Sequence, residues 1–169
     1  MATTRHALVG IALLTAAFAA APVDAQSSRS GERERRGQAE ERAAVFPNAT
    51  REEPEARVSS RLQRRMNAMI EALNDDEDPA RALEIAEEIL ANERANAYEK
   101  SVAAQVAASA ASDLDDIPRA IAFLERAIAE NGLENEAHYA AMQNLAVSQL
   151  NNEQADAAIA TLQRLITET

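Results

Sequence analysis

The sequence predicts an all-α fold, an α-solenoid of three helix-turn-helix hairpins that follows a disordered N-terminal segment. Aromatic residues make up only 3% of the chain and Trp is absent, whereas apolar residues reach 47%; this balance favours closely packed helices over sheets. A pattern over residues 120–128 recurs at 82–90 and 158–166, so the copies lie 38 residues apart (82 to 120, 120 to 158). A period of this size indicates stacked supersecondary units.

The first 25 residues form a predicted secretory signal peptide. Arg5 precedes an apolar run over residues 7–21, and a short segment ending at Ala25 follows; these are the charged, apolar and cleavage regions of such a peptide. We expect cleavage between Ala25 and Gln26 and a periplasmic or secreted product. The alternative is an uncleaved membrane anchor, but the run is shorter than the roughly 20 residues that a bilayer-spanning helix needs.

Residues 26–54 form a predicted disordered, charged linker. They are rich in Ser, Arg, Glu, Gly and Gln, and Val45 and Phe46 are their one bulky apolar pair. Such a segment buries too little apolar surface to offset the entropy lost on ordering. In the alternative interpretation, Val45 and Phe46 dock on the first helix as a short anchor.

The predicted helical repeat domain covers residues 55–169. In its first unit, the apolar spacing predicts one helix from about Glu55 to Leu73 and a second that runs to about Ala91. Asp78 is a suitable N-cap for the second helix, and Pro79 fits its first position. The units span about 55–92, 96–131 and 134–167.

The second and third units repeat this plan. Helices are predicted over about 97–112 and, with Pro118 within the first turn, up to about 130, where Asn131-Gly132 supplies the stop signal. The third unit is predicted to pair a helix over about 134–150 with one over about 153–167.

These repeats resemble the tetratricopeptide repeat (TPR) family, in particular its bacterial periplasmic members. The family's second helix carries a small, a bulky and a small residue at fixed spacing, as Ala120, Leu124 and Ala127 do. The first helices match best at Leu145-Ala146, and their usual aromatic residue is replaced by Met66, Ala104 and Met142. The resemblance implies a concave face, lined by the first helices, that holds a partner peptide or helix.

The net charge of the repeat domain limits which classes of partner it can bind. Residues 26–65 carry ten Arg and seven acids, a net +3, whereas residues 66–169 carry six basic residues and twenty acids, a net −14. So acidic a domain repels nucleic acid and anionic lipid, whose binding depends on Lys and Arg. We therefore expect a neutral or basic protein partner, no nucleic acid, and no stable membrane insertion after signal cleavage.

The sequence favours a protein that is not an enzyme and holds no metal or cofactor. Cys is absent, His138 is the one His outside the signal peptide, and no glycine-rich phosphate loop occurs. A single His at the start of a helix is more often structural or exposed than a ligand.

The predicted function is a non-catalytic periplasmic scaffold. The repeat register aligns three amides, which can donate to and accept from an extended backbone, although they are equally consistent with a solvated polar face. A further resemblance, through Tyr98–Val102 and Asn144–Ala146, is to envelope proteins that accompany TonB-type transport systems. The nine predicted partner-binding residues are Arg64, Asn67, Glu71, Val102, Gln105, Ser109, Ala140, Gln143 and Val147.

The alternative function is a structural homo-oligomer. The last predicted helix, over 153–167, presents an apolar stripe that no later helix covers, and repeat proteins normally place a polar cap there. The stripe comprises Ala155, Ile159, Leu162 and Ile166.

Overall fold

The computed structural model describes residues 46–75 and 77–169. The predicted signal peptide and most of the predicted linker lie outside these residues. Within them the fold is all-α, with six helices and no strand, which confirms the predicted class. No helix in this part is both long and apolar enough to span a bilayer. The helices are α1 (Gln63–Asn74), α2 (Pro79–Ala91), α3 (Ala97–Asp113), α4 (Ile117–Ala129), α5 (Asn135–Asn151) and α6 (Ala155–Glu168).

Five helices begin close to their predicted starts, but α1 begins at Gln63 and not near Glu55. The reason is a set of tertiary hydrogen bonds to the preceding residues. The Ser59 N–H and hydroxyl donate to Glu99 Oε1 at 2.7 and 2.6 Å, and Asn96 Nδ2 donates to the Arg57 carbonyl at 2.9 Å. A helix that began earlier would need the Ser59 N–H and the Arg57 carbonyl for its own hydrogen bonds, and here both groups bond to other residues.

The turns inside the three hairpins repeat the 38-residue period in the backbone itself. Glu77, Asp115 and Glu153 have positive φ angles of 51°, 59° and 60°, and each directly precedes the N-cap of a second helix. In the two later turns the bonding is that of a Schellman motif: the Asp116 N–H donates to the Ala111 carbonyl, and the Gln154 N–H to the Gln149 carbonyl, both at 2.8 Å. The repeat is therefore structural as well as sequential.

Three of the six helices, α2, α3 and α4, begin at side-chain caps. Asp78 accepts from the Arg81 N–H at 2.9 Å, and Asp116 accepts from the Arg119 N–H at 3.2 Å, each with Pro in the first turn. The first of these confirms the predicted cap of the second helix. At α3, Asn96 and Glu99 exchange bonds as a capping box, which satisfies two free backbone donors at once.

Each helix packs against the helices before and after it in the chain, and α1 also packs against α3. The core therefore lies between successive helices and is rich in alanine, since small side chains let helices approach closely. Met66, Ala104 and Met142, at equivalent positions of the three units, are all buried. So are Ala120, Leu124 and Ala127 in the middle unit.

α4 is ended by two consecutive residues that act in different ways. Asn131 takes the left-handed conformation, with φ of 53°. Gly132 does not have a positive φ; it is needed because an added Cβ would overlap the carbonyl group of Ala97 and the nitrogen of Tyr98. Glycine therefore lets the α4–α5 connection touch the start of α3.

Candidate partner-binding surface

The nine predicted partner-binding residues lie on the first helices of the three hairpins, and none of them is fully buried, although Val102 packs against the core. On α1 all three are exposed, on α3 all three are half-buried, and on α5 all three are exposed. The helices that carry them are neighbours, since α1 packs against α3 and a hydrogen bond from Gln105 links α3 to α5.

The side-chain amides of Asn67, Gln105 and Gln143 differ in how many hydrogen bonds they make within the protein. Asn67 Oδ1 accepts from Gln63 Nε2 at 3.1 Å, and Gln105 Nε2 donates to the Ala137 carbonyl at 3.4 Å. Gln143 is exposed on α5, one turn from Val147, whose side chain is 52% exposed. The α5 part of the surface therefore offers the freest amide beside an apolar side chain.

A segment over residues 46–62, here named the strap, runs before α1 and contacts the ends of later helices. Phe46, placed in the linker by the sequence, packs edge-on against Tyr139 of α5, with ring centroids 4.8 Å apart. The Thr50 N–H donates to the Glu168 carbonyl at 3.0 Å. The strap therefore joins the start of the described chain to its last helix.

Arg51 is the strap's most heavily bonded side chain. Its Nε and Nη2 donate to the Asn131 side chain and carbonyl at 2.6 and 3.0 Å, and Nη2 also reaches the Leu133 carbonyl at 2.7 Å. Its Nη1 donates to Asn135 Oδ1 at 2.8 Å. A planar guanidinium suits such multiple bonding, and the result is a clamp on the α4–α5 turn.

Glu99 anchors the other end of the strap and is fully buried. Burial raises the pKa of its carboxyl, but hydrogen bonds from Ser59 and from the Asn96 N–H outweigh this, so that the pKa lies below its usual value. Since the carboxylate is retained, Glu99 serves as both the α3 cap partner and the acceptor for the strap.

His138 faces Glu168 in a buried position between α5 and α6. Its Nε2 lies 3.7 Å from Glu168 Oε2, and neither its ring nitrogens nor that oxygen has a hydrogen-bond partner among the described residues. Burial lowers the pKa of His138 to about 4, with a smaller contribution in the same direction from Arg51. The sequence left open whether His138 is structural or exposed; it is buried and neutral at pH 7.

Sequence reasoning missed Arg51, Glu99 and Glu168 as contact residues. None of them belongs to the apolar period, and the partners of each lie far away in the chain. The one usable signal was Phe46, a bulky apolar residue in an otherwise polar segment.

Across residues 46–75 and 77–169, no group of three or more His, Asp or Glu side chains is placed to hold a metal ion. A surface hollow beside Arg61 and Leu62 is lined by residues 91–94 and includes none of the nine predicted binding residues.

No protein-family model, curated protein or solved structure matches the chain. The likeness to the tetratricopeptide family therefore rests on the residues of the repeats themselves.

Proposed function

We propose that this protein is a non-catalytic scaffold of the cell envelope, in which three TPR-like hairpins form a solenoid. It binds a neutral or basic segment of a partner protein on the face of α1, α3 and α5. The observation that carries the proposal is that none of the nine register-matched residues, on three neighbouring helices, is fully buried. A surface of this kind suits an extended peptide or a helix.

Contacts between hairpins support a concave first-helix side. α1 and α3 pack directly, whereas the link between α2 and α4 includes long side chains: Arg126 Nη2 donates to the Leu90 carbonyl at 2.9 Å, and Arg119 pairs with Glu87. In a curved stack, helices on the inside approach one another more closely than helices on the outside. The direct α1–α3 contact therefore supports an inner position for the binding face at the first two hairpins, and the Gln105 bond extends that face to α5.

Charge supports the choice of ligand. Residues 66–169 carry a net −14, and the binding face offers one exposed cation, Arg64, on α1. A carboxylate-rich ligand would meet repulsion, whereas a basic segment would be attracted from a distance.

Site-specific photocrosslinking tests the binding face. A photoreactive residue is placed at Val147, or at Leu114 in the α3–α4 turn as a matched control, since their side chains are 52% and 45% exposed. In envelope extract we expect the Val147 probe to form a discrete adduct with a partner protein that the Leu114 probe does not form. Addition of Gln143→Ala to the Val147 probe should reduce the yield of that adduct.

Equal adducts from both positions, or adducts from Leu114 alone, would contradict the proposed face. Gln163→Ala on α6 is the control for the second variant, because it removes the same amide from an exposed position on another helix. If Gln163→Ala lowers the yield as much as Gln143→Ala, the amide on α5 has no specific part in binding.

A further inference from the structure

The strap crosses the boundary between the second and third hairpins. On the second hairpin it bonds to the start of α3, where Asn96 donates to the Arg57 carbonyl and Glu99 accepts from Ser59. On the third hairpin it bonds to α5 and α6. One short segment therefore links two hairpins that are successive in the stack.

The strap's contacts with the third hairpin involve both helices of that hairpin. At the start of α5, the Asn135 N–H donates to Glu53 Oε1 at 2.9 Å, and the Asn135 side chain accepts from Arg51. At the end of α6, the Glu168 carbonyl accepts from the Thr50 N–H at 3.0 Å. The third hairpin is thus held at the start of one helix and at the end of the other.

The part of the strap between these two sets of bonds is short and extended. Residues 52–59 contain no helix or turn, and Glu53 and Arg57 are four residues apart (57 minus 53). Extended chain spans at most about 3.6 Å per residue, so this interval reaches no further than roughly 14 Å. Pro54 lies within the interval and restricts its backbone. The second and third hairpins therefore cannot move far apart here unless bonds at one end of the interval break.

Direct contact across the same boundary is unequal on its two sides. α4 packs against both α3 and α5, but α3 and α5 do not form a packed pair of the kind that α1 and α3 form. Two hydrogen bonds bridge that side: Gln105 Nε2 donates to the Ala137 carbonyl at 3.4 Å, and the Gly132 N–H donates to the Ser101 hydroxyl at 3.0 Å. A hinge movement at α4 would change the spacing of α3 and α5, and the strap opposes that movement.

We propose that the strap is an intramolecular tether that restrains hinge movement between the second and third hairpins. It holds α5 and α6 at a set distance from α3. The consequence for binding rests on the proposed function: the tether keeps Gln143 and Val147 on α5 aligned with Gln105 and Ser109 on α3. The restraint itself needs no ligand, so its test is separate from the test of the binding face.

Distances between pairs of spin labels test the tether. The chain contains no Cys, so each introduced Cys is labelled uniquely. Lys100→Cys with Thr167→Cys spans the boundary from α3 to α6, whereas Lys100→Cys with Asn74→Cys stays within the first two hairpins. Insertion of Gly-Ser-Gly-Ser between Glu55 and Ala56, both exposed, adds slack to the strap and keeps its bonding side chains.

We expect this insertion to broaden the distance distribution of the pair that spans the boundary and to lengthen its mean. The increase is limited to the roughly 14 Å of reach that four residues add. The pair within the first two hairpins should keep its distribution. The control is the same insertion between Pro47 and Asn48, which lies outside the restrained interval and should leave both distributions as in wild type.

Pro54→Gly is a second variant, which loosens the strap without lengthening it because glycine has more backbone freedom. It should broaden the same distribution, and by less than the insertion does. Circular dichroism verifies that each variant is folded; if the insertion variant is not, Pro54→Gly decides. An unchanged distribution across the boundary in the folded variant would overturn the proposal. Equal broadening of both pairs would also overturn it, because that result indicates a general loss of packing.

Discussion

At the scale of single residues, Gly132 is the position where the smallest change has the clearest consequence. Its missing Cβ leaves room for the backbone of Ala97 and Tyr98, and backbone atoms cannot rotate aside as a side chain can. We expect Gly132→Ala to lower the free energy of unfolding by about 2 kcal/mol or more, since overpacked sites must shift backbone. Urea denaturation measures the loss.

Asp115, in the α3–α4 turn, provides the control. Its φ is positive and its side chain is exposed, so Asp115→Gly relieves a mild conformational cost and should leave stability unchanged or slightly higher. Equal urea midpoints for Gly132→Ala and wild type would show that the α4–α5 connection is not tightly held against α3.

His138 gives the protein a predictable response to acid. Its pKa is lowered by burial from 6.5 to about 4, so below pH 6.5 the unfolded chain binds a proton that the folded chain does not. Stability from this residue is complete above about pH 6.5 and falls as the pH drops towards 4. At pH 5 the loss should be about 2 kcal/mol.

Urea midpoints at pH 7.5 and pH 5 for wild type and His138→Gln measure this response. The variant cannot take up the proton, so its midpoint should change less between the two pH values than that of wild type. An equal pH dependence in both proteins would contradict a buried neutral histidine.

The structural role of a residue could be predicted from the sequence where the residue follows the repeat. It could not be predicted where the role depends on a partner that is distant in the chain. Ala120 and Ala127 were expected at close helix contacts, and both are buried. The role of Glu99 could not be predicted, because the Ser59 groups that donate to its carboxylate lie 40 residues earlier in the chain. No local pattern reports such a bond.

At the scale of elements, the strap is the segment for which local sequence patterns predicted the wrong secondary structure. Apolar spacing continues backwards from Met66 through Leu62 to Val58, so the sequence extended α1 towards Glu55. Tertiary hydrogen bonds at residues 57 and 59 instead hold this part in a non-helical course. Helix propensity is a weak preference that such contacts override.

Arg51 determines how firmly the strap is attached. Arg51→Lys keeps the charge but loses the planar fork that reaches Asn131, Leu133 and Asn135. We expect a loss of about 1 to 3 kcal/mol and faster proteolytic cleavage within residues 46–62. Arg57→Lys, an exposed position on the same segment, is the control. Wild-type cleavage rates in Arg51→Lys would mean that the clamp contributes little.

At the scale of the whole molecule, the 38-residue period accounts for both the core of the described residues and the exposed apolar side chains of α6. The same positions are buried in α2 and α4 and exposed in α6, because burial depends on the neighbouring hairpin and not on the residue alone. The sequence revealed the period and the uncovered last helix. It did not reveal that the strap connects the first and last hairpins, since the strap has no counterpart in the other units.

The middle hairpin should therefore control the stability of both its neighbours. Ala120 is buried in α4, whereas Ala122, on the same helix, is exposed. Ala120→Leu forces α4 away from α3 and should cost about 1 to 3 kcal/mol, while Ala122→Leu should stay within about 0.5 kcal/mol of wild type. Because α4 packs directly against α3 and α5, the loss of hydrogen-exchange protection should spread from α4 into these two helices before it reaches α1. Thermal midpoints that do not differ between the two variants would show that the repeats are aligned in the wrong register.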